Sequence, residues 1–191
     1  MKDTLKKIIF CAASCVVGLG TGLSAFASTE QTLQMQKIET YVQEIQAFNE
    51  ELAQTDVKNI SATITITDNI SYEQLDQYVS DNNLQITQLQ ARGIDLNGDR
   101  VTFASNTYKG LEESHRLLME LAQNHGIEFV GYNALYVLVD SDQIMDIQNN
   151  NLTFLLDTSS VKDNISRATN VETNNEVVYP HSLAWEIEDL Y

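Results

Sequence analysis

One stretch, IEFVGYNALYVLVDSDQIMDIQNNNLTFLLDT from Ile127 to Thr158, constrains the fold of this chain more than any other. Its first half is apolar on both parities. Leu135, Val137 and Val139 fall on one side of an extended chain, Ala134, Tyr136 and Leu138 on the other. A strand apolar on both faces is covered on both, so this one is predicted to run through the centre of a sheet. Asp140 or Ser141 then caps a short helix carrying Ile144 and Ile147. The run Asn149-Asn150-Asn151 stops that helix, and Leu152, Phe154 and Leu156 line one side of a further strand.

The residues before this unit supply the rest of a sheet. Ser61 to Thr67 alternates, with Ala62, Ile64 and Ile66 inward and threonines outward, the pattern of a half-exposed strand. Ser71 and Gln74 have capping-box spacing, and Ile70 and Leu75 occupy the two places of a hydrophobic staple. A helix bearing Tyr72, Leu75, Tyr78 and Val79 is predicted there, ending at Asn82-Asn83. Leu84 to Arg92 reads as a strand whose apolar parity shifts between Ile86 and Leu89, which predicts a bulge. Asn97-Gly98 predicts a two-residue type I′ hairpin, and Val101 and Phe103 lie on the returning strand. A helix starting at Asn106 or Thr107 buries Leu111, Leu118, Leu121 and Ala122 and stops at Gly126. The order β-α-β-β-α-β is that of a ferredoxin-like α+β domain, extended by one helix and strand.

Both ends extend beyond this core. Lys2, Lys6 and Lys7 precede an apolar run from Ile8 to Ala25, and Ala25-Phe26-Ala27 has the small-x-small form of an export cleavage site. The expected product starts at Ser28, with an uncleaved signal anchor as the alternative. Cys11 and Cys15 lie inside that segment, so the mature chain is expected to hold no disulfide and no thiol nucleophile. Cleavage takes three of 11 basic residues and one of 27 acidic ones, leaving a net charge of −18. That charge repels nucleic acid and anionic lipid. Ser28 to Gln54 is predicted to form one long amphipathic helix, with Ile38, Tyr41, Val42, Ile45, Phe48 and Leu52 as its stripe. It packs on its own domain or pairs with a second copy. Ser159 to Glu176 turns to Ser, Asn, Thr and charge, which is a loose surface excursion. Pro180 then fits the first turn of a final helix with Leu183, Trp185, Ile187 and Leu190.

Three pieces of this pattern together resemble a known family. They are the ITIT strand running into ISYEQL, the segment LQITQLQARGID, and FVGYNALYVLVDSDQIMDIQNNNLTFLLD. Ile64 to Asp157 is similar to the extracytoplasmic C-terminal domain of Gram-positive sigma-factor regulators, the anti-sigma proteins. The resemblance covers about half the chain. It departs from the family in two ways: an export signal stands where a cytoplasmic sigma-binding segment and membrane helix would be, and Gln88 to Asp95 lacks a tryptophan-rich strand. Sigma-factor binding is therefore not carried over. What the resemblance implies is an extracytoplasmic sensing or interaction domain.

Catalytic and metal motifs were weighed against plainer roles. Asp95-Leu96-Asn97-Gly98-Asp99 opens like a calcium loop, but Arg100 stands where the loop needs glycine and Asn106 where it needs a bidentate acid. A hairpin explains the run. Glu112 and His115 have the spacing of half a di-iron motif, and no second Glu-x-x-His exists in the chain. His115 reads as a boundary histidine, His125 as a helix-end residue and His181 as part of a helix entrance. Ser141 follows the central strand without the glycines of a nucleophile elbow, so it reads as a cap. No residue is assigned as catalytic, cofactor-binding or metal-ligating, and no cofactor is expected.

The predicted organisation is an export signal at 1–27, an amphipathic helix at 28–56, an α+β core at 60–158 and a polar tail with a terminal helix at 159–191. The predicted function is a secreted, non-catalytic sensing or interaction module of a bacterial cell envelope. Its partner is an unidentified protein or envelope component, not nucleic acid, and no membrane span remains after cleavage. Two alternatives stand beside it: a structural or homodimerising protein using the first helix, and a hydrolase with an unrecognised site.

Overall fold

The computed structural model describes residues 24–161 and 180–190. The predicted export segment 1–27 lies outside them except for its last four residues. So does the predicted loose excursion Ser159–Glu176 except for Ser159–Val161, which are helical instead, with Ser160 buried and donating to Ser61 O at 2.6 Å. Residues up to Thr40 and residues from Tyr41 onward form two compact units. The helix α1 (Ser24–Leu52) runs through both. In the first unit it exposes Leu33, and Thr40 Oγ1 donates back to Gln36 O at 2.8 Å.

In the second unit the last turns of α1 are sewn to the domain. Ile45 is buried, while Phe48 and Leu52 pack on the main core. Asn49, fully buried, donates to Leu156 O at 2.7 Å and accepts from Thr158 Oγ1 at 2.5 Å. Tyr41 donates to the buried Asp157 carboxylate at 2.5 Å. Ile45 and Phe48, whose exposure would have favoured a helix–helix dimer, are taken up by their own domain.

The strands are β1 (Ile60–Ile70), β2 (Gln85–Ile94), β3 (Arg100–Asn106), β4 (Glu128–Val139) and β5 (Thr153–Asp157). Between them come α2 (Tyr72–Asp81), α3 (Leu111–His125) and α4 (Ile144–Gln148), the last preceded by a 3-10 turn at Ser141–Gln143. The protein is α+β, with one antiparallel sheet ordered β3-β2-β4-β1-β5. That order corrects the ferredoxin-like expectation. In a ferredoxin-like sheet the fourth strand lies at an edge, whereas here β4 sits between β1 and β2. The reason is composition: a strand apolar on both parities leaves apolar surface in water at any edge, so it takes the middle. The edges fall instead to β3, whose residues are mostly exposed, and to β5, the short buried strand that follows β4 through α4.

One sheet face holds the apolar core. Ile64, Leu135 and Leu89 meet in register across β1, β4 and β2, with Ala62, Val137, Ala91, Phe103 and Leu156 around them. The helices close this face through Leu75, Tyr78, Leu118, Ala122, Ile144 and Ile147. At the start of α2, Ser71 Oγ accepts from Gln74 N at 3.3 Å and Gln74 Oε1 from Ser71 N at 2.9 Å. Ile70 and Leu75 of the staple are both in the core. The parity change in β2 coincides with a register shift between Ile86 and Gln88.

Two local readings need correction. The helix α3 begins at Leu111, not Asn106 or Thr107, because Thr107 N still donates to Thr87 O at 3.0 Å and prolongs the β pairing. Leu121 is 38 % exposed, and Ser114 instead shares the inward face with Leu118 and Ala122, donating to Asn106 O and Gly110 O. The turn after β2 is also not a two-residue type I′ hairpin. Three residues, Leu96-Asn97-Gly98, lie between Asp95 and Asp99, and Asp95 N donates to Asp99 O at 2.9 Å. Asp95 Oδ1 accepts from the backbone N–H groups of Asn97 (2.8 Å) and Asp99 (2.9 Å), which a tighter turn would not present to it. Only Gly98 takes positive φ there, at 85°.

Replacing Gly98 with Val should therefore cost about 1–3 kcal/mol, since a β-branched residue resists that backbone region. Urea unfolding measures it, and a loss within 0.5 kcal/mol, on the order of an ordinary surface change, would contradict it. The turn also makes a pH prediction. The Asp99 N–H, foremost among several donors, holds the Asp95 carboxyl below the usual carboxylate range. A depressed folded-state pKa stabilises fully above the unfolded-state value near about 4 and is lost as pH falls through the folded-state value. Asp95→Asn keeps an acceptor oxygen but removes the titration. Its unfolding curve should lose part of the acid sensitivity of the wild type below about pH 4.

Candidate functional site

The sheet face opposite α2, α3 and α4 carries a polar patch beside the apolar Ala134 and Leu155, and Tyr41 of α1 reaches this face at Asp157, the register partner of Thr63. Thr63 and Thr65 of β1, Gln90 and Arg92 of β2 and Asn133 of β4 are all buried there. In a two-layer α+β domain such a face meets water. Here the C-terminal segment covers it, running extended from Pro180 into the short helix α5 (Ala184–Leu190). Among the described side chains, none of residues 180–188 belongs to the main apolar cluster or packs against it. The contact is made by hydrogen bonds, one ion-pair cluster and one aromatic ring, with Ala184 buried beside them.

The contacts follow the sheet from strand to strand. Thr63 Oγ1 donates to Pro180 O at 2.6 Å, and Thr65 Oγ1 accepts from Leu183 N at 3.1 Å. Gln90 Nε2 donates to Asn133 Oδ1 at 3.2 Å and to Ser182 Oγ at 3.3 Å, while Gln90 Oε1 accepts from the Tyr136 hydroxyl at 3.1 Å. Arg92, 2 % exposed, donates from Nε to Glu188 Oε1 at 2.9 Å and from Nη1 to Thr102 Oγ1. Its Nη2 stands 2.9 Å from Glu188 Oε2, an ion-pair approach whose alignment falls short of a hydrogen bond. Arg100 reaches the same carboxylate at 3.3 Å. The Arg92 guanidinium lies 3.8 Å from the centre of the Trp185 ring, and that of Arg100 5.2 Å.

The electrostatics are local and opposite in sign to the chain as a whole. Two of the four arginines of a chain with net charge −16 converge on this face. A guanidinium taken out of water needs a carboxylate and a full set of acceptors, and breaking such a pair from one side costs about 3–5 kcal/mol. A guanidinium over an indole adds about 0.5–2 kcal/mol. Each neutral hydrogen bond contributes about 0.5–1.5 kcal/mol. The segment is thus held by a sum of modest polar terms, not by an apolar core of its own. Ala184 is buried and Leu183 and Ile187 are half-buried, but Trp185 is 38 % exposed. The final helix starts four residues after Pro180, which lies in the extended lead-in, as does His181.

The residues singled out from sequence are otherwise engaged. Ser141, buried, donates to Thr55 O at 2.8 Å and ties β4 to the connector before β1. His115 Nδ1 stands 2.6 Å from the Tyr132 hydroxyl, its ring stacked on Tyr72 at 4.2 Å. Burial pushes the Tyr132 phenol well above its ordinary pKa, so it stays protonated. That geometry is an aromatic clamp between α2, α3 and β4. His125 closes α3, where Gly126 takes the left-handed C-cap. Among the described residues no cluster of His, Cys, Asp and Glu suits a metal ion, and no helix is long and apolar enough to cross a membrane.

A shallow cleft of about 330 Å³ lies on the helix side, lined by Glu73, Gln74, Gln77, Tyr78, Asp81 and the Asn150–Leu152 turn. Its two carboxylates are eight residues apart on α2, a rise of about 12 Å, wider than the roughly 5–9.5 Å of paired glycosidase acids. Each is occupied locally: Glu73 accepts from Ser71 Oγ at 2.8 Å and Asp81 from Gln77 Nε2 at 2.6 Å. Comparison with protein-family models, curated proteins and solved structures finds no match. The polar sheet face was not legible as a site, because Gln88, Gln90 and Arg92 alternate with apolar neighbours as in any solvent-facing strand. The one available signal was the Trp-x-x-Glu spacing of Trp185 and Glu188 near the C-terminus.

Proposed function

We propose that the protein is an exported, non-catalytic interaction module of a bacterial cell envelope, and that its contact surface is the polar sheet face around Arg92. The observation that carries this reading is a buried guanidinium on β2, beside the edge strand β3, where an apolar residue or a solvated one would be the ordinary choice, ligated by a separate chain segment. Such a site is built for a carboxylate-bearing partner. Export is supported by the Lys-rich, apolar, Ala-Phe-Ala pattern of residues 1–27, and the regulatory setting by the resemblance to extracytoplasmic domains of sigma-factor regulators. The engagement of Ser141, His115 and Asp95 in structural bonds further supports a role without turnover.

The test uses the exported chain, immobilised and exposed to envelope extract in parallel with an Arg92→Gln, Arg100→Gln variant. A defined protein retained by the wild type, lost by the variant and released as salt rises is the expected result. Turnover of a peptide, glycan, ester or phosphoester substrate, abolished by one substitution that leaves folding intact, would overturn it.

A further inference from the structure

We infer that the polar sheet face is a peptide site whose ligand class is an acidic helical segment with an aromatic residue three positions before a glutamate. In this structure the chain's own C-terminus fills that site as an internal competitor. The inference rests on the interaction-module reading and names its ligand.

The bound segment shows what the site recognises. Thr63 and Thr65 read backbone atoms of an extended lead-in, at Pro180 O and Leu183 N. Arg92 and Arg100 converge on one carboxylate, Glu188, and both guanidiniums approach one indole, Trp185. Two threonine hydroxyls on the sheet face thus hold the backbone of the lead-in, and the two guanidiniums hold its Trp and Glu side chains. Two guanidiniums converging on one carboxylate disfavour a basic or wholly apolar occupant.

The internal segment is an imperfect ligand. Asn133 Nδ2 is buried without a hydrogen-bond partner, as is Glu186 Oε2 of the segment itself. Arg92 Nη2 is misaligned on Glu188, and Trp185 keeps 38 % of its surface in water. Each such buried group left unmatched costs free energy, and two of the three lie on the segment's own contacts, Glu186 in it and Arg92 against Glu188. A segment that reproduces the Trp and Glu contacts and also satisfies Asn133 outcompetes the internal one. Because the main apolar cluster contains none of the described side chains of 180–188, that cluster stays closed when they lift from the sheet.

The experiment measures fluorescence anisotropy of a labelled synthetic peptide matching residues 180–190, added to the full chain. Wild type, with the site filled, should bind weakly. A Trp185→Ala, Glu188→Gln variant, with its own segment weakened, should bind at least ten-fold more tightly. A peptide with Gln in place of its second glutamate should lose that gain, a control that leaves the protein's folding untouched. Equal binding by wild type and variant, or binding indifferent to the peptide's glutamate, would overturn the inference. If the wild type forms a dimer that the peptide dissociates, the occupant is a second copy's tail and the commitment to a partner peptide is overturned. Retention of an envelope protein through Arg92 without peptide binding would overturn this ligand class while leaving the interaction-module reading in place. Substrate turnover would overturn that reading itself.

Discussion

Leu135→Ala should cost the fold about 2–5 kcal/mol, the largest loss expected from any single truncation here. Leu135 is fully buried at the middle of β4, the central strand, and pairs with Ile64 on one side and Leu89 on the other. Strands flank it on both sides and helices cover it, so the cavity left behind has little freedom to collapse. At roughly 2–4 °C per kcal/mol for a chain of this size, the unfolding midpoint should fall by roughly 4–20 °C. Val130→Ala on the same strand, at a position 44 % exposed, is the control and should stay within about 0.5 kcal/mol. A loss below about 1 kcal/mol for Leu135→Ala would mean that the core is looser than its burial indicates.

Glu188→Ala should produce the second-largest effect, and of a different kind. Removing this carboxylate under a fixed segment would strand the Arg92 guanidinium out of water, at about 3–5 kcal/mol. The segment has another course: it lifts from the sheet and returns Arg92 to solvent. The measured loss is therefore capped by the free energy of docking, and about 1–3 kcal/mol is expected from the hydrogen bonds and ring contact given up. Trp185 is the only tryptophan, so its emission reports the event directly. Emission should shift to the red and acrylamide quenching should rise, with cooperative unfolding of the core retained. Combining Glu188→Ala with Arg92→Ala should cost less than the sum of the two, because both act on one contact. A full loss of about 3–5 kcal/mol with tryptophan emission unchanged would show that the segment is integral to the fold instead.

The distance along the chain separates what could be read from what could not. The Ser71–Gln74 capping box, the Ile70–Leu75 staple and the Gly126 C-cap depend on residues within one helical turn, and local chemistry specified them. The centrality of β4 was equally legible, because parity within one strand already says that both faces are covered. Strand order was not. The element succession β-α-β-β-α-β is compatible with more than one sheet, and the choice was made by which strand most needed both neighbours. The turn after β2 shows the same limit at short range: Asn97-Gly98 pointed to one hairpin type, and the Asp95 side chain, by taking two backbone N–H groups, imposed another. Only the tertiary structure could bring Arg92 to Glu188 across 96 positions. In sequence each is an ordinary charged residue of a solvent-facing pattern. Burial beneath a docked segment, which no local periodicity encodes, is what turns that pair into a site.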